Sequence, residues 1–324
     1  MNGPRYAAGA NVRLVVQAVE QGIFPIAEIR NNGGGWYYRL DDGDPNTTTF
    51  WPEGNLEPLD QPEARYTLYT AADALQPQPP IDWVIENLFS VPSVSLMFGD
   101  PGCGKTFAAL DACVCVALGN PWLTYSTQQS AVLIVDEESG PRRLARRLGD
   151  VLRGHSGDAT TPISYTTLAR FDLRKGDDIQ ALLEAITTSG ARFVVVDALV
   201  DVMPGADENA VADVHPIFVT LRDLAEATQA AIVVVHHSAK AGGYRGSSAM
   251  NGAVDMMLQV AKKGDELTFK TVKPRDVEPF DFGAIGNWQP GTFWLTSTAV
   301  VPPGPTFTRS QKYVMKRLRD FGPC

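Results

Sequence analysis

Cysteine is scarce in this sequence. It occurs four times in 324 residues (Cys103, Cys113, Cys115, Cys324), at spacings that match neither a metal-ligand set nor a disulfide framework. Long apolar runs are missing as well. None approaches the roughly 20 residues of a membrane span, so no membrane partner is expected. Met1 to Ala10 contain no basic stretch followed by an apolar one, so no secretory leader is readable. These absences together point to a reducing, cytoplasmic setting. Nor is there a basic excess: 28 Lys and Arg stand against 37 Asp and Glu, a formal net charge of -9. A surface coated in positive charge is therefore excluded, while a few cations concentrated in a groove or pore are not.

What is present divides into two patterns. Up to about residue 62 the chain reads as short strands: Val12 to Val16, Ile26 to Ile29 and Trp36 to Leu40, separated by Asn31-Asn32-Gly33-Gly34-Gly35 and Asp41-Asp42-Gly43-Asp44. Strand-sized runs with tight polar turns predict a small antiparallel barrel. The closing segment, Trp51 to Pro58, resembles the last turn and strand of SH3-like or Tudor-like barrels. Residues 63–80 read as a linker, extended at Gln76-Pro77-Gln78-Pro79-Pro80. From 81 to 302, apolar strands alternate with amphipathic helices. Strands are expected at Val94 to Phe98, Val132 to Val135, Phe193 to Val196 and Ile232 to Val235. Helices are expected over Lys105 to Leu118, from Pro141 to Gly154, around Ile179 to Ile186, and from Val214 to Ala225. This alternation predicts an α/β fold with a mainly parallel sheet and helices on both faces, whose ligands sit at the carboxyl ends of the strands. Residues 303–324 form a tail. Phe307 to Phe321 reads either as the opening helix of a truncated helix-turn-helix (winged-helix) module or as a docking tail.

The most specific signal is Gly99-Asp100-Pro101-Gly102-Cys103-Gly104-Lys105-Thr106, which fulfils G-x-x-x-x-G-K-[ST] between a predicted strand and a predicted helix. Glycines let backbone N–H groups curl around phosphate oxygens, and the helix N-terminus favours the anion. ATP with Mg²⁺ is the expected ligand, held by Gly99 to Thr106 and the adjoining Phe107. Lys105 is expected to reach the β- and γ-phosphates, and Thr106 to ligate the metal. Cys103 reads as a small residue filling its place in the loop. Asp197 ends a strand, where an acid can hold Mg²⁺ through water. Glu137 and Glu138 end the strand after the phosphate-loop helix, where a carboxylate can orient or deprotonate the attacking water. Arg147 reads as an exposed helix position in preference to a contact with nucleotide or a neighbouring subunit.

In four places and in the same order, residues from about 66 to 300 resemble RecA-like ATPases of the RepA-type hexameric helicase group, related to DnaB and RadA. The first is Gly99 to Thr106. The second is Val132 to Ser139, followed by Arg146-Arg147-Leu148. The third is Asp197 with Asp207-Glu208-Asn209. The fourth is Val234 to Lys240 with Arg245 to Ser248. The resemblance implies that Glu138 is the catalytic glutamate and His237 the sensor of the γ-phosphate. It further implies that Lys273-Pro274-Arg275 is the K-x-R element that reaches a neighbouring subunit's nucleotide. A homo-oligomer, most simply a hexameric ring, follows. The loop from Ser238 to Ser248 would face the pore with Lys240, Tyr244 and Arg245, a cation-plus-aromatic set suited to single-stranded DNA. These features predict a ring motor, a helicase or translocase. The rival expectation is a regulatory ATPase that switches partner contacts without moving along DNA, with the N-terminal barrel as the partner's binding place. A P-loop kinase would need a basic lid and an acceptor pocket, and neither is readable.

Overall fold

The computed structural model describes residues 11–16, 19–32, 35–42, 48–58, 68–237 and 248–298. The chain forms two units, Met1–Pro79 and Pro80–Cys324. In the first, β1 (Asn11–Val16), β2 (Val19–Asn31), β3 (Trp36–Leu40), β4 (Phe50–Pro52) and β5 (Leu56–Pro58) make one antiparallel sheet in the order β4-β3-β2-β1-β5. It is compatible with the small β domain expected there. The strand foreseen at Ile26 to Ile29 is the middle of the longer β2. Tyr38, Ile26, Leu40 and Leu56 are buried together, and the Tyr38 hydroxyl donates to Glu53 at 2.7 Å. A short helix, α1 (Ala71–Ala74), starts at a Thr70/Asp73 capping box.

The second unit opens with a hairpin of β6 (Asp82–Ile85) and β7 (Phe89–Val91). The elements β8 (Ser93–Gly99), α2 (Lys105–Leu118), β9 (Ala131–Asp136), α3 (Pro141–Gly154), β10 (Ile163–Thr167), α4 (Gly176–Ser189), β11 (Ala191–Asp197), α5 (Val211–Thr228) and β12 (Ala231–His237) follow. The chain continues with α6 (Ser248–Ala253), β13 (Met256–Lys263), β14 (Glu266–Thr271), β15 (Asp281–Gln289) and β16 (Thr292–Thr298). Nine strands share one sheet in the order β10-β9-β11-β12-β8-β13-β14-β15-β16. Pairing is parallel from β10 to β13 and antiparallel from β13 to β16. The mainly parallel sheet was expected; β10 and most of the antiparallel extension were not.

Period-two geometry explains the continuous apolar runs. Val132 and Ile134 of β9, Phe193 and Val195 of β11, and Val233 and Val235 of β12 face one core, against α2 and α3. Leu133, Val135, Val194, Val196, Ile232 and Val234 face the other, against α4 and α5. Both faces of these three strands are covered, so none of them can afford a polar side. Helix α2 is buried nearly all round, its Ala and Cys side chains allowing close approach. Helix α3 is strongly two-sided: Leu144, Leu148 and Val151 are buried, while Arg142, Arg143 and Arg146 are exposed. Among the described residues, no helix is long and apolar enough to cross a membrane.

One polar knot fastens α2 to the far strand. Asp111, 1% exposed, accepts from the Trp122 indole at 3.1 Å and from the Leu295 backbone N–H of β16 at 3.0 Å. Its Oδ1 also lies 2.7 Å from Nε2 of His155, the residue that caps α3. Removing the carboxylate strands two buried donors and a histidine at once. Asp111→Ala is expected to lose roughly 3 kcal/mol of unfolding free energy in urea. A loss below about 0.5 kcal/mol would show that the knot carries little.

Candidate active site

The glycine-rich loop joins the last residue of β8 to the first of α2. Close packing requires glycine at its entrance, since a Cβ on Gly99 would lie 2.1 Å from the Val260 carbonyl oxygen of β13. Gly104 caps α2 with φ +95°, a backbone conformation that disfavours any side chain. Lys105 is buried, and its ammonium donates to the carbonyls of Gly99 at 2.9 Å and Asp100 at 3.0 Å. The loop thus holds a positive charge at its centre. Cys103 lies beside it, Sγ 3.9 Å from Nζ. Burial raises the Cys103 thiol above its usual range despite that cation. Asp100, Pro101 and Gly102 are exposed, and Phe107 is half-buried.

Next to the loop, the Thr106 hydroxyl donates to Asp197 Oδ2 at 2.8 Å. Asp197 ends β11, 4% exposed, and its Oδ1 has no hydrogen-bond partner among the described residues. Burial pushes its carboxyl up to about 7, aided by the charges of Glu138 and Asp136 and opposed by the Thr106 hydrogen bond and Lys105.

The two glutamates after β9 part ways. Glu137 is buried and spent on the backbone, accepting from the N–H groups of Ala169 and Arg170, each at 2.8 Å. Its own N–H donates to the Asp197 carbonyl at 2.7 Å. Glu138 turns instead into a cavity of about 330 Å³, where its Oε2 lies 3.6 Å from Nε2 of His237 at the end of β12. Lys105, Thr106, Phe107 and Arg147 line the same cavity. Arg147 corrects the expectation of an exposed position: it is half-buried, donates to the Ser139 hydroxyl at 3.0 Å and lies over the Phe107 ring at 5.6 Å.

Sequence reasoning missed the opposite wall. Lys262, Asp265, Trp288 and Phe293 come from the antiparallel extension, and no motif marks them. Leu267, Phe269 and Thr271 alternate in burial along β14 of that extension.

Lys273 and Arg275 do not join the cavity. The Arg275 N–H donates to the Asp255 carbonyl at 3.0 Å, and the Asp255 N–H donates to Val94 at 2.8 Å. They therefore lie by the amino end of β8, whereas the glycine loop follows its carboxyl end. The Arg275 side chain pairs with Asp255 at 3.2 Å and donates to Gly252 at 3.0 Å. Arg222 contacts the same carboxylate at 2.6 Å. Lys240, Tyr244 and Arg245 lie outside the described residues, as does the tail from 303 to 324.

Asp197 supplies a pH dependence. In the folded chain it keeps its proton to about 7, while the ordinary value, 3.8, applies when unfolded. The folded state holds the extra proton between these values, so this group's contribution to stability is lost as pH rises through that window. At about 1.4 kcal/mol per pH unit, wild type is expected to lose roughly 4 kcal/mol relative to Asp197→Asn between pH 4 and 7.5. Urea unfolding in a chelator, without nucleotide, measures it. Parallel pH profiles of the two proteins would contradict the assigned burial.

A phosphate-type loop, a buried acid bonded to its threonine, a cavity-facing glutamate and a histidine converge at the carboxyl ends of β8, β9, β11 and β12. No curated protein matches this sequence. A family model described as an AAA domain matches residues 60–243, more than half of the chain, and includes all four of these features. The chain therefore belongs to the AAA-domain family, as a P-loop ATPase.

Proposed function

We propose that this protein hydrolyses ATP with Mg²⁺ as one subunit of a ring, and that the ring is a helicase or translocase of the RepA type working on single-stranded DNA. The observation that carries the hydrolytic part is the division of labour between the two glutamates: Glu137 is tied to backbone N–H groups, while Glu138 faces the cavity beside Lys105, Thr106 and His237. In this reading Lys105 exchanges the Gly99 and Asp100 carbonyls for phosphate oxygens. Thr106 and Asp197, whose Oδ1 has no partner among the described residues, fit a magnesium ion, a hard cation that takes oxygen ligands and offsets phosphate charge. Glu138 accepts a proton as water attacks the γ-phosphorus. The bond to the bridging oxygen breaks and ADP departs. His237, within reach of Glu138, reports the state of the γ-phosphate.

The position of Lys273 and Arg275 supports the ring. Cations by the amino end of the strands cannot serve their own loop, but they suit a neighbour's, where neutralising phosphoryl charge contributes up to about 10³–10⁵ in rate in comparable systems. Single-stranded DNA is inferred from the resemblance and from Lys240, Tyr244 and Arg245. The net charge of -9 and the N-terminal β-sheet favour a second reading, an ATPase whose nucleotide state switches a protein partner.

Glu138→Gln is expected to bind nucleotide normally while turnover falls at least about 100-fold; undiminished turnover would remove Glu138 from the role. Mixing inactive Lys105→Ala with inactive Arg275→Ala should restore part of the activity, since one mixed interface pairs an intact loop with an intact finger. Complete absence of rescue would count against action in trans. ATP turnover should rise with single-stranded DNA, less so at higher salt. Turnover indifferent to DNA would favour the switch.

A further inference from the structure

The cavity beside the glycine loop has two chemically different ends. Lys105 and Thr106 form the phosphate end. At the other, the rings of Phe107, Trp288 and Phe293 cluster, with centroids 4.4 to 4.7 Å apart. Phe293 is 2% exposed, yet its neighbour Trp288 is 55% exposed at the rim. Standing at the mouth of a cavity, that half-exposed ring offers a flat apolar face to a ligand.

Two further groups line the same cavity. Lys262 is the penultimate residue of β13, and Asp265 sits in the turn to β14. No hydrogen bond or ion pair with another described residue engages either side chain. Turn chemistry alone accounts for an Asp beside Gly264, but not for Lys262 and Trp288 facing the same space. A carboxylate here also repels an incoming triphosphate, so its place needs a favourable contact elsewhere on the ligand.

We propose that Trp288, Asp265 and Lys262 form the base-reading end of this cavity and select a purine. The inference rests on the nucleotide-binding reading above and deepens it. Trp288 supplies the stacking face, while Asp265 accepts and Lys262 donates along the base edge. Adenine meets that pair with its exocyclic amine and a ring nitrogen. Guanine meets it with two N–H groups and O6. Both purines are therefore accommodated, and pyrimidines, with one ring instead of two to stack, are disfavoured. All three residues lie beyond the 60–243 stretch that matches the AAA domain, so this end belongs to the antiparallel extension.

Equilibrium titration with the Mg²⁺ complexes of the imido analogues of ATP, GTP and CTP, and of tripolyphosphate, tests it. Wild type should bind both purine analogues at least about tenfold more tightly than the cytidine one, since a stacked base contributes about 1–3 kcal/mol. Trp288→Ala should weaken the ATP analogue about tenfold and leave tripolyphosphate unchanged. Asp265→Ala gives the sharper outcome, because electrostatics and base contact predict opposite signs. It should bind tripolyphosphate equally or more tightly, yet the ATP analogue about tenfold more weakly. Retained tripolyphosphate binding in both variants reports an intact loop. If Asp265→Ala binds the ATP analogue as tightly as wild type, or if the cytidine analogue rivals it, the proposal is overturned. If wild type binds neither tripolyphosphate nor nucleotide, the nucleotide reading itself falls.

Discussion

The hydrogen bond from Thr106 to Asp197 joins the glycine loop to the centre of the sheet. On one side of it stands α2, buried nearly all round and free to approach the sheet closely because its side chains are small. On the other stands β11, flanked by β9 and β12 and covered on both faces. Part of the cavity's polar lining is held by the strands that flank β11: Glu138 follows β9, and His237 closes β12. An apolar, close-packed sheet fixes these ends relative to one another, so that a few polar side chains can be placed without extended loops to support them.

Burial brings its own electrostatic consequence. Asp136, Glu137 and Asp197 are all nearly excluded from water, and the fold manages each differently. Asp136 accepts from the backbone of Glu138 and Ser139. Glu137 accepts from two N–H groups of the 169–170 turn. Asp197 receives a single hydroxyl and holds its proton instead. A carboxylate left partly unsatisfied in this way is suited to a cation arriving with a ligand.

Much of this was legible in the sequence, for physical reasons that differ by element. The doubly covered strands announced themselves as unbroken apolar runs, and α3 by its alternation of leucine and arginine. The glycine loop was readable because backbone approach to phosphate demands glycine at fixed intervals. The preference for Glu138 over Glu137 came from the resemblance and not from local pattern: the two stand side by side after β9, and Glu137 is engaged only by the 169–170 turn, thirty residues on. Arg147 was misjudged because helix periodicity says nothing of a neighbouring ring such as Phe107. The aromatic wall was invisible for a similar reason. Trp288 and Phe293 sit on a hairpin whose alternating pattern is ordinary, and their nearness to Phe107 comes from the sheet's strand order rather than from any spacing.

Asp255 answers to two guanidinium groups at once, and a backbone N–H, that of Val94, donates to it at 2.9 Å. Arg222 and Val94 alone would keep that carboxylate compensated. Arg275 is thus the redundant member of a three-donor arrangement, and its departure would uncover no isolated buried charge. The anchor is specific enough to aim the side chain and leaves Asp255 compensated without it, so reorienting this arginine requires no local unfolding at the amino ends of β8 and β13.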